Sequence, residues 1–517
     1  MIARSRCTPT WPPALLAAVT LALGVYLAVA NTLPVEAAGS TCIWLSPGGP
    51  GPMSQWSNAV NWTCGGMPPG MAVPTNGDIV HFNSATGLTT MDITGLNLQA
   101  LVFDPGAQTI VALQSPLTVG TVTDHSGVNT LTGPGDLTLS SVGPSVTFQV
   151  DTGQLSISTR LSGPSGLLKT GAGTLYLAAS TANAYTGTTT VAEGVLLLNK
   201  PAGIAAVPGD LTVGDGNGAA GSAAVRHLAA NQLPDSTTVA LKGDGVLDLN
   251  GFADTIGPLG FTGGNVATGA GTLALSGDVS TMPYSTTAMI TATTSGGLDL
   301  GGAVRVFDIA SGAAPALDIT AVITNGGLDK RGDGVLRLSG ANLYGGETIL
   351  NAGTLELYGS NPSSSVRLNG GTLATGPSTV QTGPLDASLA TNTRLEIGGA
   401  GAGILSAQGA VQLGTGVTTT VHLNGTAPGS GYDQLQATGQ IALGGATLEV
   451  QAGSAFPMST EFQLAGSAEA VTGSFANGAV VVAAGSGQSF TIAVRDNWVV
   501  LTAQGSHWLC LPLILRQ

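Results

Sequence analysis

Twenty-nine Asp and Glu residues, five His and four Cys are the groups in this chain best able to move a proton, attack a substrate or hold a metal. Glycoside hydrolysis needs two carboxyl groups facing one bond, and a lyase commonly needs a base with a nearby cation or Ca²⁺. The acidic residues are thin along the chain, and Asp136, Asp215, Asp244 and Asp333 each sit beside a glycine. Asp in such a turn caps backbone N–H groups. His81, His125, His227, His422 and His507 are scattered without ligand spacing, so no metal site is predicted and each is expected at the surface or in a turn. No Gly-x-Ser-x-Gly elbow is present, and the histidines have no evident partners in sequence. The run Val213-Gly214-Asp215-Gly216-Asn217-Gly218 lacks both the nonapeptide spacing of calcium-binding β-rolls and the Lys-Ser/Thr ending of a phosphate loop, so it reads as a turn. Arg331-Gly332-Asp333 spells an integrin-type adhesion tripeptide. No catalytic residue, cofactor or metal ligand is assigned.

The elements that would have to carry any chemistry are short and repetitive. Seven times a glycine is followed by Thr or Val and then Leu, at Gly173, Gly194, Gly245, Gly271, Gly334, Gly353 and Gly371. The separations of 21, 51, 26, 63, 19 and 18 residues read as multiples of a unit of about 20. Within each copy, pairs such as Leu175 and Leu177 or Leu355 and Leu357 put two aliphatic side chains on one face of a strand. One such strand cannot bury that face alone, whereas many stacked on one axis can. The pattern therefore predicts a stacked β-solenoid rather than a compact enzyme-like domain. Gly is 78 of 517 residues and charged residues are 9%, a mixture that favours short strands and tight turns. Disorder is the competing reading of so much Gly and Ser. A hydrophobic fraction of 43% at regular spacing supplies a core instead. The net charge of −14 gives no basic surface for phosphates, so nucleic acid is not expected as a partner.

Residues 1–37 carry Arg4 and Arg6, an apolar run from Leu15 to Ala30, and small residues that would allow cleavage after Ala30 or after Ala37. This order reads as a secretory signal peptide, with an uncleaved anchor as the alternative, and no membrane span is expected in the mature chain. Outside a reducing compartment, Cys42 and Cys64 are candidates for a local disulfide. The last stretch, residues 503–517, contains the apolar run Trp508-Leu509-Cys510-Leu511-Pro512-Leu513-Ile514-Leu515. A sorting signal and a final strand packed on the last coil both fit it.

Two windows carry a family resemblance. Residues 166–198 read GLLKTGAGTLYLAASTANAYTGTTTVAEGVLLL and residues 327–357 read GLDKRGDGVLRLSGANLYGGETILNAGTLEL. Lys169, Gly171, Gly173, Leu175, Leu177, Tyr185, Gly187, Thr189 and Gly194 in the first correspond to Lys330, Gly332, Gly334, Leu336, Leu338, Tyr344, Gly346, Thr348 and Gly353 in the second. Both windows resemble the autotransporter-associated β-strand repeat. Residues 246–259 and the segments around Tyr432, Phe475 and Trp498 look like companions of that repeat, and the Trp44, Trp56, Trp62, Pro74, Asp78 pattern looks like the start found on such proteins.

The resemblance implies an all-β, right-handed, single-stranded parallel β-helix, elongated, and exported to the cell surface or medium. At about 4.8 Å per coil the rod would be on the order of 100 Å long. The expected organisation is an N-terminal cap with the first strands over 38–105, then a β-helix over 106–502 with repeats at 166–198 and 327–357. The chain departs from complete family members in that no C-terminal segment reads as a membrane barrel with long alternating strands and aromatic girdles. The functional expectation is a non-enzymatic structural or adhesin-like protein meeting glycans or cell-surface components through weak multivalent contacts. The alternative is a polysaccharide lyase or glycosidase built on the same scaffold.

Overall fold

The computed structural model describes residues 39–45, 54–293, 295–399 and 401–505. The signal-peptide reading and the tail beyond Gly505 fall outside these residues. Apart from one 3-10 turn at Ala59–Asn61, the described elements are all strands, most of them three to seven residues long. Gly/Thr/Val-rich sequence with alternating aliphatics satisfies its backbone by pairing between coils, since the side chains alternate in and out with a period of two.

Nearly all strand pairings are parallel and in register from one coil to the next. One ladder runs Leu167↔Thr189↔Leu211↔Val239↔Leu259↔Val279↔Phe307. A second stacks Leu155↔Leu175↔Leu196↔Val225↔Leu247↔Val266 and, further on, Leu336↔Leu355↔Leu373↔Leu395. A third face is paired in stretches, by Asp254–Ile256 with Thr272–Leu275, Gly297–Asp299 and Val322–Thr324, and later by Thr379–Thr382 with Ile404–Ala407 and Gln434–Ala437. The inward residues form one continuous core from Cys42 to Ala503. The expectation of stacked Leu/Val coils around a shared dry interior is met: the chain is a parallel β-solenoid.

Aromatic side chains concentrate where the ladders begin and end. Thr41–Trp44 pairs antiparallel with Trp62–Cys64 and parallel with Ile79–Phe82. Trp44, Trp56 and Trp62 are buried against one another and against Phe82, with ring centroids 4.8 Å apart for Trp44 and Trp62 and 5.3 Å for Trp56 and Trp62. Cys42 faces Cys64 in this hairpin and the two form a disulfide closing a separation of 22 residues. At the other end Glu461–Ser467, Trp498–Ala503, Ser489–Arg495 and Val480–Val482 form an antiparallel run, with Phe456, Phe462, Phe490 and Tyr432 packed edge to face beneath it.

Replacing Cys42 and Cys64 by Ser should lower the stability of the first coils by about 3 kcal/mol, the loop-closure contribution for a loop of this size. Hydrogen exchange of Thr41–Trp44 reads this out; unchanged protection would contradict it.

Candidate functional site

Both repeats build the same corner. Lys169 takes an inward position between Phe148 of the preceding coil and Val191 of the following one; Lys330 lies between Phe307 and Leu350. Each lysine stem is fully buried along that aliphatic and aromatic column. Its ammonium turns to the corner, where three carbonyls accept its three protons. Lys169 Nζ donates to Thr170 O at 2.8 Å, Gly171 O at 2.6 Å and Glu193 O at 3.1 Å. Lys330 Nζ repeats this with Arg331 O at 2.7 Å, Gly332 O at 2.7 Å and Ala352 O at 3.1 Å. Two acceptors lie in the lysine's own turn and the third in the next coil, so each lysine ties two coils together.

The glycines follow from this packing. Gly194 and Gly353 have φ of 73° and 66°, a left-handed conformation that a Cβ disfavours. A Cβ on Gly194 would stand 2.5 Å from Gly173 O and 2.8 Å from Lys169 Nζ; on Gly353, 2.6 Å from Gly334 O and 2.8 Å from Lys330 Nζ. Gly187 and Gly346 similarly lie against backbone at the start of the preceding coil's strand. Tyr185 and Tyr344 are buried and bond the inward hydroxyls of Thr189 at 2.5 Å and Thr348 at 2.7 Å. Leu175, Leu177, Leu336 and Leu338 line the core in adjacent columns.

Burial pushes the Lys169 and Lys330 ammonium groups down to about 8, against the opposing pull of Glu193 and Asp151 on the first and of Asp308 and Asp333 on the second. Lys200, absent from the sequence pattern, behaves alike: burial lowers it to about 8, and its Nζ donates to Ala179 O and Thr181 O. Because these folded-state values lie below the unfolded value of 10.5, the unfolded chain binds more protons between the two, and stability rises with pH there. The thermal midpoint should therefore climb from pH 7 to 9.5, with a shallower climb in a Lys169→Met, Lys330→Met variant. Tyr185 and Tyr344, whose hydroxyls burial pushes upward, oppose this only above about pH 10. A midpoint that falls over this range would contradict the assignment.

These ammonium groups are sealed and saturated, so the corner neither attacks a substrate nor recruits an anion. What solvent can reach is the outer face. There Arg226 pairs with Asp248 at 2.7 Å, and Arg337 pairs with Glu356 at 2.6 Å while lying 4.4 Å over the Tyr358 ring. A groove of about 250 Å³ is lined by Asp136, Ser158, Thr159, Arg160, Ser180 and Thr181, its rim held by an Arg160–Asp136 ion pair at 3.3 Å.

One histidine departs from the expected surface or turn position, while His81, His125 and His422 are partly exposed and His507 lies outside the described residues. His227 is completely buried and its Nε2 meets Asp254 Oδ2 at 2.7 Å, because it occupies the column Leu177↔Leu198↔His227 in place of a leucine. The Asp254 carboxylate also accepts the N–H groups of Gln232, Leu233 and Thr255. His81 pairs with Asp104, His125 with Asp151 and His422 with Asp433. Each partner other than Asp433 arrives from the next coil or a nearby loop, 23 to 27 residues along the chain, a distance at which sequence gives no hint of contact. The Asp433 carboxylate, bonded to the ring, holds the His422 imidazolium above its usual range against the effect of burial.

Asp215 and Asp244 cap turns: Asp215 accepts Asn217 N at 2.7 Å, and Asp244 accepts Gly216 N at 2.8 Å. Among the described residues no three His, Cys, Asp or Glu side chains converge as a metal site. Arg331 of the Arg-Gly-Asp triplet is held by Asp329 at 2.7 Å, and the Gly332 carbonyl is taken by Lys330. No helix among the described residues is long and apolar enough to cross a membrane.

The stacked coils and their lysine-tied corners define a parallel β-solenoid repeat protein. Residues 167–198 and 328–357 match the passenger-associated-transport-repeat family model, and these are the two segments that build the corners. The chain is also similar to the "Adhesin BmaC autotransporter" of Brucella suis biovar 1 (strain 1330), 29% identical over 343 residues. That match covers 54% of this chain and 10% of the much longer adhesin. The chain thus carries two segments similar to the passenger-associated transport repeat, set within a parallel β-solenoid.

Proposed function

We propose that this chain is an exported, non-enzymatic β-solenoid displayed at the cell surface or released to the medium, where it acts as an adhesin-like or structural rod. The observation that carries this reading is the pair of passenger-type repeats within a solenoid, whose buried lysines are spent on holding coils together. The likeness to a segment of an autotransporter adhesin supports the same class of role. In this reading residues 1–37 direct export, with cleavage after Ala30 or Ala37. The tryptophan hairpin within 38–105 and the last antiparallel strands cover the ends of the rod, where exposed strand edges would otherwise invite pairing with other chains. Partners are glycans or other cell-surface components, met by Thr, Ser and charged side chains repeated along the outer faces. Many weak contacts on one rigid body reach useful strength by multivalency.

Protease shaving of intact cells, followed by a binding assay with beads carrying the mature chain at graded density, tests this. The expectation is surface exposure and adhesion that rises steeply with density. Retention in the cytoplasm, or degradation of a polysaccharide panel by the purified chain, would overturn it.

A further inference from the structure

One inward position of the early coils carries a carboxyl group. Asp124 ends the strand Leu117–Asp124, whose other buried side chains are Leu117, Val119 and Val122. It stacks between Phe103 of the preceding coil and Val150 of the following one, and all three are fully buried. Asp124 Oδ1 accepts Asn129 Nδ2 at 3.1 Å, and Asn129 Oδ1 accepts Thr109 N at 2.8 Å. The carboxyl is thus one end of a buried link that reaches back to the coil before. Its second oxygen, Oδ2, is buried and has no hydrogen-bond partner among the described residues.

A carboxylate with one oxygen unpaired in an apolar column is costly, whereas a proton on Oδ2 removes the charge and leaves the bond at Oδ1 intact. The charged groups on the elements packed around it are committed elsewhere. Asp104, just beyond the preceding coil's strand, pairs with His81 at 3.1 Å, and Asp151, just beyond the following one, pairs with His125 at 2.7 Å. Lys169, a coil beyond Val150, gives its protons to three carbonyls. Burial pushes the Asp124 carboxyl from 3.8 up to about 6, over the lowering pull of Asn129, the Ser126 N–H and His125, and Asp151 adds to the rise.

We propose that this corner is a pH-sensitive fastening: Asp124 is protonated in acid, where the coils around it hold most tightly, and its ionisation on the way to neutral pH loosens them. The folded chain keeps a proton that the unfolded chain loses between pH 3.8 and about 6, so the stability contributed by this group falls as pH rises through that window. Asp151, held low by hydrogen bonds from Gln149 and His125, acts in the opposite direction. The effect is therefore read as a difference between the wild-type chain and Asp124→Asn, which keeps the shape of the side chain and carries no charge.

Hydrogen exchange of Asn97–Phe103, Leu117–Asp124 and Ser145–Val150, corrected for the intrinsic rate, tests this in the full chain. From about pH 4 to pH 7 the opening constant of the wild-type strands should rise on the order of a hundredfold relative to Asp124→Asn. Thr354–Leu357, in the second repeat, should show no such difference. The Asp124 carboxyl carbon of the wild-type chain, followed by NMR, should titrate at about pH 6; this arm stands even where the Asn variant fails to fold. Parallel pH profiles in the two chains, or a carboxyl midpoint below about pH 5, would overturn the proposal.

Discussion

Gly353→Ala and Gly194→Ala should each destabilise the coils around them by roughly 3–5 kcal/mol, the range of the most disruptive single substitutions. About 1–2 kcal/mol of this comes from holding a Cβ-bearing residue in the left-handed region. The rest comes from driving that Cβ into Gly334 O and Lys330 Nζ at 2.6 and 2.8 Å, or into Gly173 O and Lys169 Nζ at 2.5 and 2.8 Å. The two closest neighbours in each corner are backbone oxygens of the preceding coil, so relief requires that two coils move apart and that the lysine surrender a carbonyl. Gly345, where an added Cβ meets nothing within 4 Å, is the control: Gly345→Ala should shift stability by less than about 1 kcal/mol. Because a solenoid is held by nearest-neighbour interfaces, the loss should be local, visible as faster hydrogen exchange in Val335–Leu338 and Thr354–Leu357 for Gly353→Ala. Equal effects at Gly345 and Gly353 would refute the corner geometry.

Trp62→Ala carries the second large effect, about 3–5 kcal/mol as for other fully buried aromatics. Its ring touches Trp44, Trp56 and Phe82, and its indole N–H donates to Trp56 O at 2.8 Å, so the substitution hollows the cluster at the start of the ladder. Unlike a core substitution in mid-rod, it also loosens the hairpin covering the first coil. The expected readout is loss of protection in Thr41–Trp44 together with concentration-dependent association, as freed strand edges pair between molecules. A variant that stays monomeric with an unaltered thermal midpoint would show that the cluster has no such role.

The fold was legible because its main determinant is periodic. Leu175 and Leu196, or Leu336 and Leu355, recur at the spacing of one coil, and burying such faces requires stacking. The companion stretch VLDLNGFADTIGPL likewise supplies successive strands, Gly245–Asp248, Asp254–Ile256 and Leu259–Thr262. What the sequence did not disclose are contacts between residues one coil apart. Lys169 and Lys330 could be singled out as recurring, but nothing local says that an ammonium will reach the carbonyl of Glu193 or Ala352 in the next coil. Lys200 escaped notice because the second repeat has Gly359 at the corresponding place. His227 was misjudged for the same reason: lack of ligand spacing put it at the surface or in a turn, yet its position in the column next to Leu198 decides its burial.

Nitroxide labels at Thr174→Cys and Glu356→Cys, in a Cys510→Ser background, test the continuous stacking of coils most directly. The two positions share one outward column through Val195, Ala224, Val246, Asn265, Met289, Asp318 and Arg337, which makes eight register steps. At about 4.8 Å per step the pulsed electron resonance distance should be a single narrow peak near 38 Å. A broad distribution, or a peak under about 25 Å, would mean that the two repeats do not lie on one unbroken solenoid.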